Sequence, residues 1–591
     1  MTSSQIEPAN TRKPLRLWPG VALVAVMWLL LFVVPRVFTV NGALGPIGAL
    51  VCGLLFVVWW VLFSRAPWAE RLGGLALIVG VVVLMRRFVD ESITTAGMGV
   101  TFFVYVTPVL TLSFLIWAAA SHRLGGRRRW ATMIATIVAA CAIWLPFRTD
   151  GITGDGNQDF EWRWAETHED RLLARAADEP PMPESKPARE PAAAATGAYW
   201  PGFRGADRDS IIRGLRIETD WAESPPVELW RQPIGPGWSS FAVSGDLLYT
   251  QEQRGEEEVV SCYSATTGEL VWRHADAARF WESHAGAGPR ATPALAAGRV
   301  YTLGATGILN ALDATDGSVV WSRAAAADTG KQIPPWGFSS SPLIVDDLVI
   351  IQAGKLAAYE LVTGEPRWFG PERGGSYSSP HLVTLDGVAQ ILMQSGAGLT
   401  SVAPADGSLL WQHPWAGNIV QPAQTAAGDL LISAAGEMGP LGIRRIAVSR
   451  VGGVTASAEL RGSGGWAIEE GWTSIGLKPN FSDFVVHKGH AFGFDGRILA
   501  CIDLEDGERK WKGGRFGSGQ LMLLPDQDAL LVVSERGELA LVEATPDAFT
   551  ELARLPAIEG KTWNHPVLVG DLLLVRNSQE MAAFRLASAA L

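Results

Sequence analysis

Apolar residues follow two different patterns along this chain of 591 residues. Up to Phe147 they form long uncharged runs, whereas beyond Tyr199 they alternate with polar residues in short stretches. Long apolar runs are typical of membrane-spanning helices, and alternation with a period of two is typical of half-buried strands. The pattern predicts a helical membrane domain over 1–147, an extracytoplasmic linker over 148–198 and an all-β domain over 199–591.

Five apolar runs make up the membrane region, at 17–35, 43–64, 72–85, 99–120 and 130–147. Four can cross a hydrocarbon core of about 30 Å, and the third is short. Counting the third as a span places nine Lys and Arg residues on one side of the membrane and three on the other. The positive-inside rule then predicts an inner-membrane protein with a cytoplasmic N-terminus and an extracytoplasmic body. No Asp, Glu, Lys, Arg or His lies inside the runs, which favours an anchor over an ion path.

The linker combines two kinds of sequence. "FEWRWAETHEDRLLARAADE" has the pattern of an amphipathic helix that could lie near the membrane surface. "PPMPESKPAREPAAAATG" is rich in Pro and Ala and predicts an extended spacer.

A short phrase recurs through the β region, with a Gly four residues before a Trp. "ATTGELVW" contains the first copy, and the Gly residues of the clear copies are Gly268, Gly317, Gly364, Gly407 and Gly507. Degenerate copies surround Gly453 and Pro546, so that the copies stand 39 to 54 residues apart. This period is typical of a four-stranded propeller blade. We interpret the Gly as the turn between a third and a fourth strand, and the Trp as packing against the neighbouring blade.

A second recurring phrase opens each unit with an alternating β segment broken by a tight turn, as in "RATPALAAGRVYTLG" and "WNHPVLVGDLLLVRN". Eight such openings occur, but only seven closings follow them. The missing outer strand is found upstream of the first opening, in "PPVELWR" around Trp230. A strand from the N-terminal side that completes the last blade leaves no open sheet edge. The sequence therefore predicts an eight-bladed propeller closed in this way.

Charge and cysteine content exclude several classes of function. The chain up to Phe147 has 12 Lys and Arg against 4 Asp and Glu, and the remainder has 37 against 56. An acidic body argues against nucleic acid as a partner. The four Cys residues stand apart, with no CxxC motif, so that neither a disulfide framework nor a thiolate metal site is indicated.

The repeats resemble those of the pyrroloquinoline quinone (PQQ)-like propeller family. "ATTGELVW", "LNALDATDGSVVW" and "LACIDLEDGERKWKGG" carry this resemblance, which extends over about residues 199–591. The family includes quinoprotein alcohol and glucose dehydrogenases and the non-enzymatic outer-membrane assembly protein BamB. Membrane spans before a propeller also resemble the membrane-bound quinoprotein glucose dehydrogenases. A PQQ cofactor with Ca²⁺ is what the enzyme branch of the family would imply.

Two features depart from those enzymes. Blades of this length leave little chain to wall a substrate pocket, and the adjacent cysteines of the alcohol dehydrogenases are absent. No motif assigns a Ca²⁺-ligand set of Glu, Asn and Asp.

Residues just before the first strand of each blade are expected to face the axial funnel, where propeller sites normally lie. The candidates are Trp238, Arg290, Thr292, Trp336, Tyr377, Gln421, Lys478, Asn480, Asp483, Gln520, Asn564 and His565. In a quinoprotein, Arg290, Lys478 and Thr292 would hold the quinone carboxylates, and Trp238 or Trp336 would stack on the ring. Asp483 would be the catalytic base, with Asn480 beside the Ca²⁺ and with Asn564 and His565 as further cofactor contacts. The alternative is that these side chains solvate the channel and satisfy backbone groups at the strand ends.

Two functional hypotheses follow. The first is a membrane-anchored binding or assembly scaffold with protein partners in the cell envelope. The second is a PQQ-dependent dehydrogenase that oxidises an alcohol or sugar and passes electrons to membrane quinone. The loop "WESHAGAGPRATP" is the longest of the first blade and is the loop that we expect to carry function, if one does.

Overall fold

The computed structural model of the chain describes residues 15–34, 44–154, 158–178, 198–417, 419–436, 439–451 and 465–589. Two compact units are distinguished. The first comprises Met1–Ala165 with Ser283–Ala285, and the second comprises Glu166–Glu282 with Gly286–Leu591.

The first unit is helical. Its α-helices are Trp18–Trp28, Leu44–Phe63, Trp68–Met85, Glu91–Thr95, Thr101–Ala120 and Gly126–Ala142, with a π-helical turn at Leu29–Val33 and 3₁₀ turns at Ala96–Gly99 and Ser121–Arg123. Among the described residues, three helices are long and apolar enough to cross a membrane, at Gly45–Phe63, Trp68–Met85 and Thr101–Arg123. The shorter helix Trp18–Val33 is also apolar. A membrane anchor is thus supported, but the prediction of five spans is not confirmed.

The third apolar run forms a longer helix than the sequence pattern predicts. This helix begins at Trp68 rather than at residue 72, because "WAER" adds a polar first turn. Arg71 of that turn donates to the carbonyl of Val61 at 2.8 Å, and Glu70 forms a buried ion pair with Arg129 at 3.2 Å. A helix can therefore extend beyond its apolar run when the charged residues of the added turn have partners and need not lie in hydrocarbon.

Two elements occupy the predicted linker. A hairpin of Phe147–Ile152 and Gln158–Trp162 belongs to the first unit. The amphipathic helix predicted over 160–179 is confirmed only over His168–Asp178, which belongs to the second unit, because residues 160–162 belong to the hairpin. There Glu169 accepts hydrogen bonds from the backbone N–H of Gly255 at 2.8 Å and from Arg279 at 2.9 Å.

The second unit is a β-propeller whose described strands form eight four-stranded blades, the first with an added fifth strand. The first strands of successive blades are Ala242–Ser244, Ala294–Ala296, Leu343–Val345, His381–Leu385, Ala423–Gln424, Val485–His487, Gln520–Leu524 and Val567–Val569. The second strands are Leu247–Arg254, Arg299–Leu303, Leu348–Gln352, Val388–Ser395, Leu430–Gly436, His490–Asp495, Ala529–Val533 and Leu572–Arg576. The third strands are Glu257–Ser264, Ile308–Asp313, Leu356–Glu360, Gly398–Val402, Gly439–Arg450, Ile498–Asp503, Glu538–Glu543 and Glu580–Arg585. The fourth strands are Leu270–Asp276, Val319–Ala324, Pro366–Phe369, Leu409–His413, Trp466–Ser474, Arg509–Arg515, Glu551–Pro556 and, for the eighth blade, Val227–Pro233.

Smaller elements complete the second unit. They are the strands Tyr199–Trp200, Trp281–Glu282 and Gly286–Ala287, the helix Ala325–Thr329 and the 3₁₀ turn Pro525–Gln527. First strands of neighbouring blades contact one another, so they line the axis, and the fourth strands form the rim.

The predicted eight-bladed ring and its mode of closure are both confirmed. Val227–Pro233 pairs antiparallel with Glu580–Arg585 and completes the eighth blade. The seam between the eighth blade and the first also contains a buried guanidinium, that of Arg576. This group donates to the hydroxyl of Thr250 at 2.5 Å and to the carbonyl of Gln251 at 2.9 Å. Strand pairing and buried hydrogen bonds therefore join the two ends of the ring.

The recurring Gly and Trp meet between blades, as predicted. The Gly residues of the clear copies have φ values of 69° to 76°, in the left-handed region that favours Gly. A Cβ on Gly364 would lie 2.6 Å from the indole of Trp321, which belongs to the preceding blade. The same indole donates its N–H to the carbonyl of Leu361 at 3.2 Å. Trp272 and Trp368 are likewise fixed by a Gly turn and a carbonyl of the next blade.

Trp411 departs from this arrangement. Its indole N–H donates to Gln390 of its own blade at 2.7 Å. The degenerate turn around Gly453, which would receive it in the fifth blade, lies outside the described residues. The degenerate turn at Pro546 still receives a Trp, since Trp511 donates to the carbonyl of Thr545 at 2.7 Å.

Candidate functional site

A segment that precedes the blades, residues 199–217, lies within the axial channel, and we call it the axial segment. It enters beside the first blade, where Tyr199–Trp200 pairs with the first strand. It leaves along the seventh blade, where the N–H of Ile212 donates to the carbonyl of Leu523 at 2.8 Å. At its end, Ile217 forms a bridge with Ser588. The axial segment thus adds backbone hydrogen bonds to the inner strands of the first and seventh blades.

The tip of the axial segment is a tight loop with unusual backbone angles. Arg204, Arg208 and Ser210 have φ values of 63°, 54° and 59°, which non-glycine residues rarely adopt. The loop is closed by a hydrogen bond from the N–H of Ser210 to the carbonyl of Arg204 at 3.0 Å, and by Arg204 Nε, which donates to the Ser210 hydroxyl at 2.9 Å. Such angles persist where the surroundings fix them, and they concentrate at functional sites.

A buried triad of Arg204, Asp483 and His565 holds this tip to the blades. Arg204 Nε lies 3.2 Å from Asp483 Oδ2, and His565 Nε2 lies 2.7 Å from the same oxygen. Asp483 is only 3% exposed. The ring of Phe203 packs edge-on against His565, with ring centroids 4.8 Å apart. The predicted residues Asp483 and His565 are therefore brought together, and Arg204 joins them.

The electrostatics of the triad favour the ionised form of the Asp483 carboxyl. Burial alone would raise the pKa of Asp483, but Arg204, His565 and the backbone N–H of Gln421 outweigh it, and the pKa is lowered from its ordinary value. A general base works best with a pKa near the pH at which it operates. Asp483 is better suited to an ion pair than to proton transfer.

Other predicted residues form hydrogen bonds from blade to blade at the starts of the first strands. The N–H of Ser240 donates to Thr292 Oγ1 at 3.1 Å, and the N–H of Thr292 donates to Ser341 Oγ at 2.9 Å. Gln421 adds to this series of hydrogen bonds between blades, which we call the belt. Its amide donates to the carbonyl of Ser379 at 2.9 Å. Their geometry matches the alternative interpretation, in which polar side chains satisfy strand-end backbone groups.

The belt continues through the last blades and returns to the first. Gln520 Nε2 donates to the carbonyl of Trp563 at 3.1 Å, and Asn564 Nδ2 donates to the carbonyl of Ser239 at 2.7 Å. In the other direction, Ser240 Oγ of the first blade donates to the carbonyl of His565 at 2.6 Å. Each of these two blades therefore donates a hydrogen bond to the other.

The remaining cationic candidates are engaged elsewhere. Arg290 Nη2 pairs with Glu282 at 3.1 Å within its own loop, and burial lowers the pKa of Arg290 to about 10. Lys478 Nζ lies 3.8 Å from Asp495, and Asn480 is exposed. Arg290 and Lys478 therefore each have an acidic partner other than Asp483.

The aromatic candidates lie in two separate pairs. The ring centroids of Trp238 and Trp563 are 4.8 Å apart, and those of Trp336 and Tyr377 are 4.9 Å apart. Lys561 Nζ lies 4.9 Å from the Trp563 ring, so the first pair carries a cation.

These residues do not fit a bound quinone with Ca²⁺. The cations proposed for its carboxylates are already paired, and Asp483 is held by Arg204. Within the described ranges, no three His, Cys, Asp or Glu side chains group so as to hold a metal ion.

Sequence reasoning missed the residues that organise the axis, namely Phe203, Arg204, Arg208 and His381. "YWPGFRGADRD" stands out in the sequence, but only as a lead-in to the repeats. Two Arg residues in a short segment between a spacer and the first blade are the signal that could have indicated them. Their insertion into the channel depends on left-handed backbone angles at non-glycine residues, which no sequence pattern indicates.

The sequence matches the model of one protein family, described as outer membrane protein assembly factor BamB, over residues 227–369 and 256–513. A comparison with curated proteins found no match. Among solved structures, BamB from Moraxella catarrhalis is 13% identical, with 61% of this chain and 97% of that chain covered and a TM-score of 0.42. Quinohemoprotein alcohol dehydrogenase from Comamonas testosteroni is 12% identical, with 68% and 82% covered and a TM-score of 0.41.

Proposed function

Because its propeller is built from PQQ-like repeats of the BamB type, we propose that this chain is a membrane-anchored scaffold whose extracytoplasmic propeller binds other proteins of the cell envelope. The observation that carries the proposal is the axial segment. It lies in the channel where an enzyme of this fold would hold its cofactor, and it pairs the candidate base Asp483 with Arg204. A propeller whose axis is partly occupied by its own chain still offers its rim for binding.

The rim provides an apolar surface suited to a protein partner. Val227, Val271 and Val319 lie on the fourth strands of the eighth, first and second blades and are 58%, 43% and 49% exposed. Fourth strands are edge strands, whose free backbone groups can pair with another chain. Apolar side chains on consecutive edges are typical of protein-binding surfaces. The fourth strand of the sixth blade instead carries the charged residues Arg509, Lys510 and Lys512.

Site-specific photo-cross-linking in whole cells tests the scaffold. A photo-reactive amino acid in place of Val319 should give discrete cross-linked products with an envelope protein. The same amino acid in place of Lys510, on the charged rim of the sixth blade, is the matched control and should give none. Identical products from both positions, or none from either, would contradict binding through the valine rim.

The dehydrogenase hypothesis is tested separately by titrating the full chain in detergent with PQQ and Ca²⁺. Tryptophan fluorescence should show no saturable quenching at micromolar PQQ, because Arg290, Lys478 and Asp483 already have partners. Saturable quenching accompanied by dye-linked oxidation of alcohols or sugars would overturn the scaffold proposal in favour of the enzyme.

A further inference from the structure

A large cavity lies in the axial channel between the axial segment and the first strands of the third to sixth blades. Its volume is about 1170 Å³. Its walls include Leu343, Leu382 and Val485 on the first strands. It extends to the turns that follow those strands, at residues 425–427 and 487–490, and therefore opens on the face opposite the strand starts. Small-molecule sites are concave and combine apolar walls with placed polar groups. The apolar wall here comes from the first strands, and charged residues line the cavity on the axial segment and on the turns.

One side chain in this cavity has an unbalanced charge. Arg208 is 7% exposed, and its Nη2 donates to the carbonyl of Ser341 at 2.9 Å. Its Nε and Nη1 have no hydrogen-bond acceptor within the described part of the chain. Burial, and the nearby Arg204, lower the pKa of Arg208 to about 9, so the group stays protonated at neutral pH. A buried guanidinium without a counter-charge is costly, and an anion that binds beside it removes this cost.

The other arginines that line the cavity all have carboxylate partners. Arg204 pairs with Asp483 at 3.2 Å, Arg213 with Asp209 at 2.6 Å, and Arg445 with Asp429 within hydrogen-bond distance. Arg208 has no carboxylate within ion-pair distance among the residues that the structure describes. The missing partner is therefore specific to one position at the inner end of the cavity.

A second unpartnered group lies in the same cavity. His381, which begins the first strand of the fourth blade, lines it and is 7% exposed. Its Nδ1 has no hydrogen-bond partner among the described atoms. A neutral imidazole can donate from this nitrogen to an oxyanion. The inner end of the cavity thus offers donors from two side chains.

We propose that the axial cavity binds a small organic anion, with its carboxylate or phosphate group at Arg208 and His381 and its apolar part against Leu382 and Val485. The anion enters from the face of the propeller that carries the turns between first and second strands. The site is independent of the scaffold role, since it uses neither the rim nor the residues predicted for a quinone.

Thermal unfolding of the full chain in detergent tests this site, with benzoate and inorganic phosphate as probes and sodium chloride of equal ionic strength as the reference. At least one probe should raise the unfolding temperature saturably. Stabilisation by phosphate alone indicates a site for a phosphate group, and stabilisation by benzoate alone indicates a carboxylate with an apolar body. Arg208→Gln should weaken the apparent affinity by at least about tenfold, because it removes the charge-assisted hydrogen bonds. Arg213→Gln, at a paired arginine of the same cavity, is the matched control and should keep the affinity.

Three outcomes would overturn the proposal: no stabilisation beyond that by sodium chloride, an unchanged affinity in Arg208→Gln, or equal losses in both variants. If Arg208→Gln does not fold, Leu382→Trp provides the test. Leu382 is 38% exposed, so a larger side chain can extend into the cavity without disturbing the blade. This variant should lose stabilisation by the effective probe while unfolding at the wild-type temperature in sodium chloride. Retained stabilisation by that probe would also refute the site.

Discussion

Buried charged side chains bind the propeller together where its two ends meet. Arg576 donates to Thr250 and Gln251 across the seam between the eighth blade and the first, and Glu252 accepts from the backbone N–H of Gly235 at 2.6 Å. Removing one partner of such a group leaves the others desolvated and unpaired. The consequence should be large even though each hydrogen bond alone is worth little.

Arg576→Met should therefore destabilise the propeller by about 3 to 5 kcal/mol. The measurement is urea-induced unfolding of the full chain in detergent, followed by tryptophan fluorescence. Arg585→Met is the control on the same blade, where an exposed arginine lies 3.4 Å from Asp571 and should cost less than about 1 kcal/mol. Equal losses for the two arginines would show that burial at the seam has no special role.

His381 should make stability depend on pH. Burial, and the neighbouring Arg204 and Arg208, lower the pKa of His381 to about 3 in the folded protein, against an ordinary value of 6.5. Between these values the unfolded chain binds a proton that the folded protein does not, so stability falls as the pH is lowered from 6.5 towards 3. This contribution amounts to about 1.4 kcal/mol per pH unit.

His381→Gln should flatten the dependence of unfolding free energy on pH between pH 6 and pH 4. The control is Gln424→Ala, at an exposed side chain of the same unit that does not titrate, which should leave the slope unchanged. Urea unfolding at several pH values measures both. If the unfolding free energy of His381→Gln depends on pH as steeply as that of the wild type, groups other than His381 cause the loss of stability in acid.

At the residue scale, the sequence predicts positions better than roles. Several predicted residues lie just before the first strands of their blades, as the repeat predicts, and these are Asp483, His565, Thr292 and Asn564. Their partners come from the axial segment and from neighbouring blades, and repeat spacing does not indicate which side chains meet. Ion pairing therefore could not be distinguished from catalysis before the structure was known.

The blade and its Gly turn are the elements that repeat most regularly. The Gly is required for its left-handed backbone and also because the Trp of the preceding blade lies directly over its Cα. Conformation and packing can be separated by comparing two glycines with similar angles. Gly364 has φ of 73° and is covered by Trp321, whereas Gly298 has φ of 72° and open space around it.

Gly364→Ala should cost about 2 to 5 kcal/mol, from backbone strain together with overpacking against the indole. Gly298→Ala should cost about 1 to 2 kcal/mol, from backbone strain alone. Urea unfolding measures the difference. Equal losses of stability would show that the Trp side chain shifts at little energetic cost. The Gly would then recur in the repeats for its backbone angle only.

Most elements were predictable because the repeat applies the same constraints many times. Alternation, a Gly turn and a Trp at a fixed spacing locate the hairpins and the closing strand at Val227–Pro233. The membrane helices were less predictable, because hydropathy does not show that Trp68–Arg71 extends the third run or that Arg127–Arg129 lie within Gly126–Ala142. Helix ends depend on capping and on neighbouring helices, which an apolar count ignores.

For the molecule as a whole, membrane topology decides the compartment in which the propeller works. The excess of positive charge at 123–129 predicts that this loop is cytoplasmic and that the propeller is extracytoplasmic. Cysteine labelling tests this directly, since the four native cysteines are buried. In spheroplasts, a membrane-impermeant maleimide should label Glu505→Cys on the propeller and should label Arg128→Cys only after lysis. The reverse pattern would place the propeller in the cytoplasm.

The overall arrangement of the second unit was only partly predictable. The number of blades and the closure follow from counting openings and closings in the sequence. The axial segment does not, because its pairing with Leu523 and Ser588 joins residues about 300 or more positions apart without any repeated signal. The axial segment is thus the largest feature that the sequence did not reveal.

The axial segment and the closing strand also set the order in which the protein can be completed during biosynthesis. Both emerge from the ribosome before the blades that receive them, and Arg576 and Thr250 at the seam are 326 positions apart. Until residues 580–588 are made, Val227–Pro233 and Ile217 have no partner strand, and the nascent domain exposes unpaired edges. A ring of this kind matures in a single late step, so a nascent chain that stops before the eighth blade is a substrate for proteases or chaperones and not a smaller working propeller.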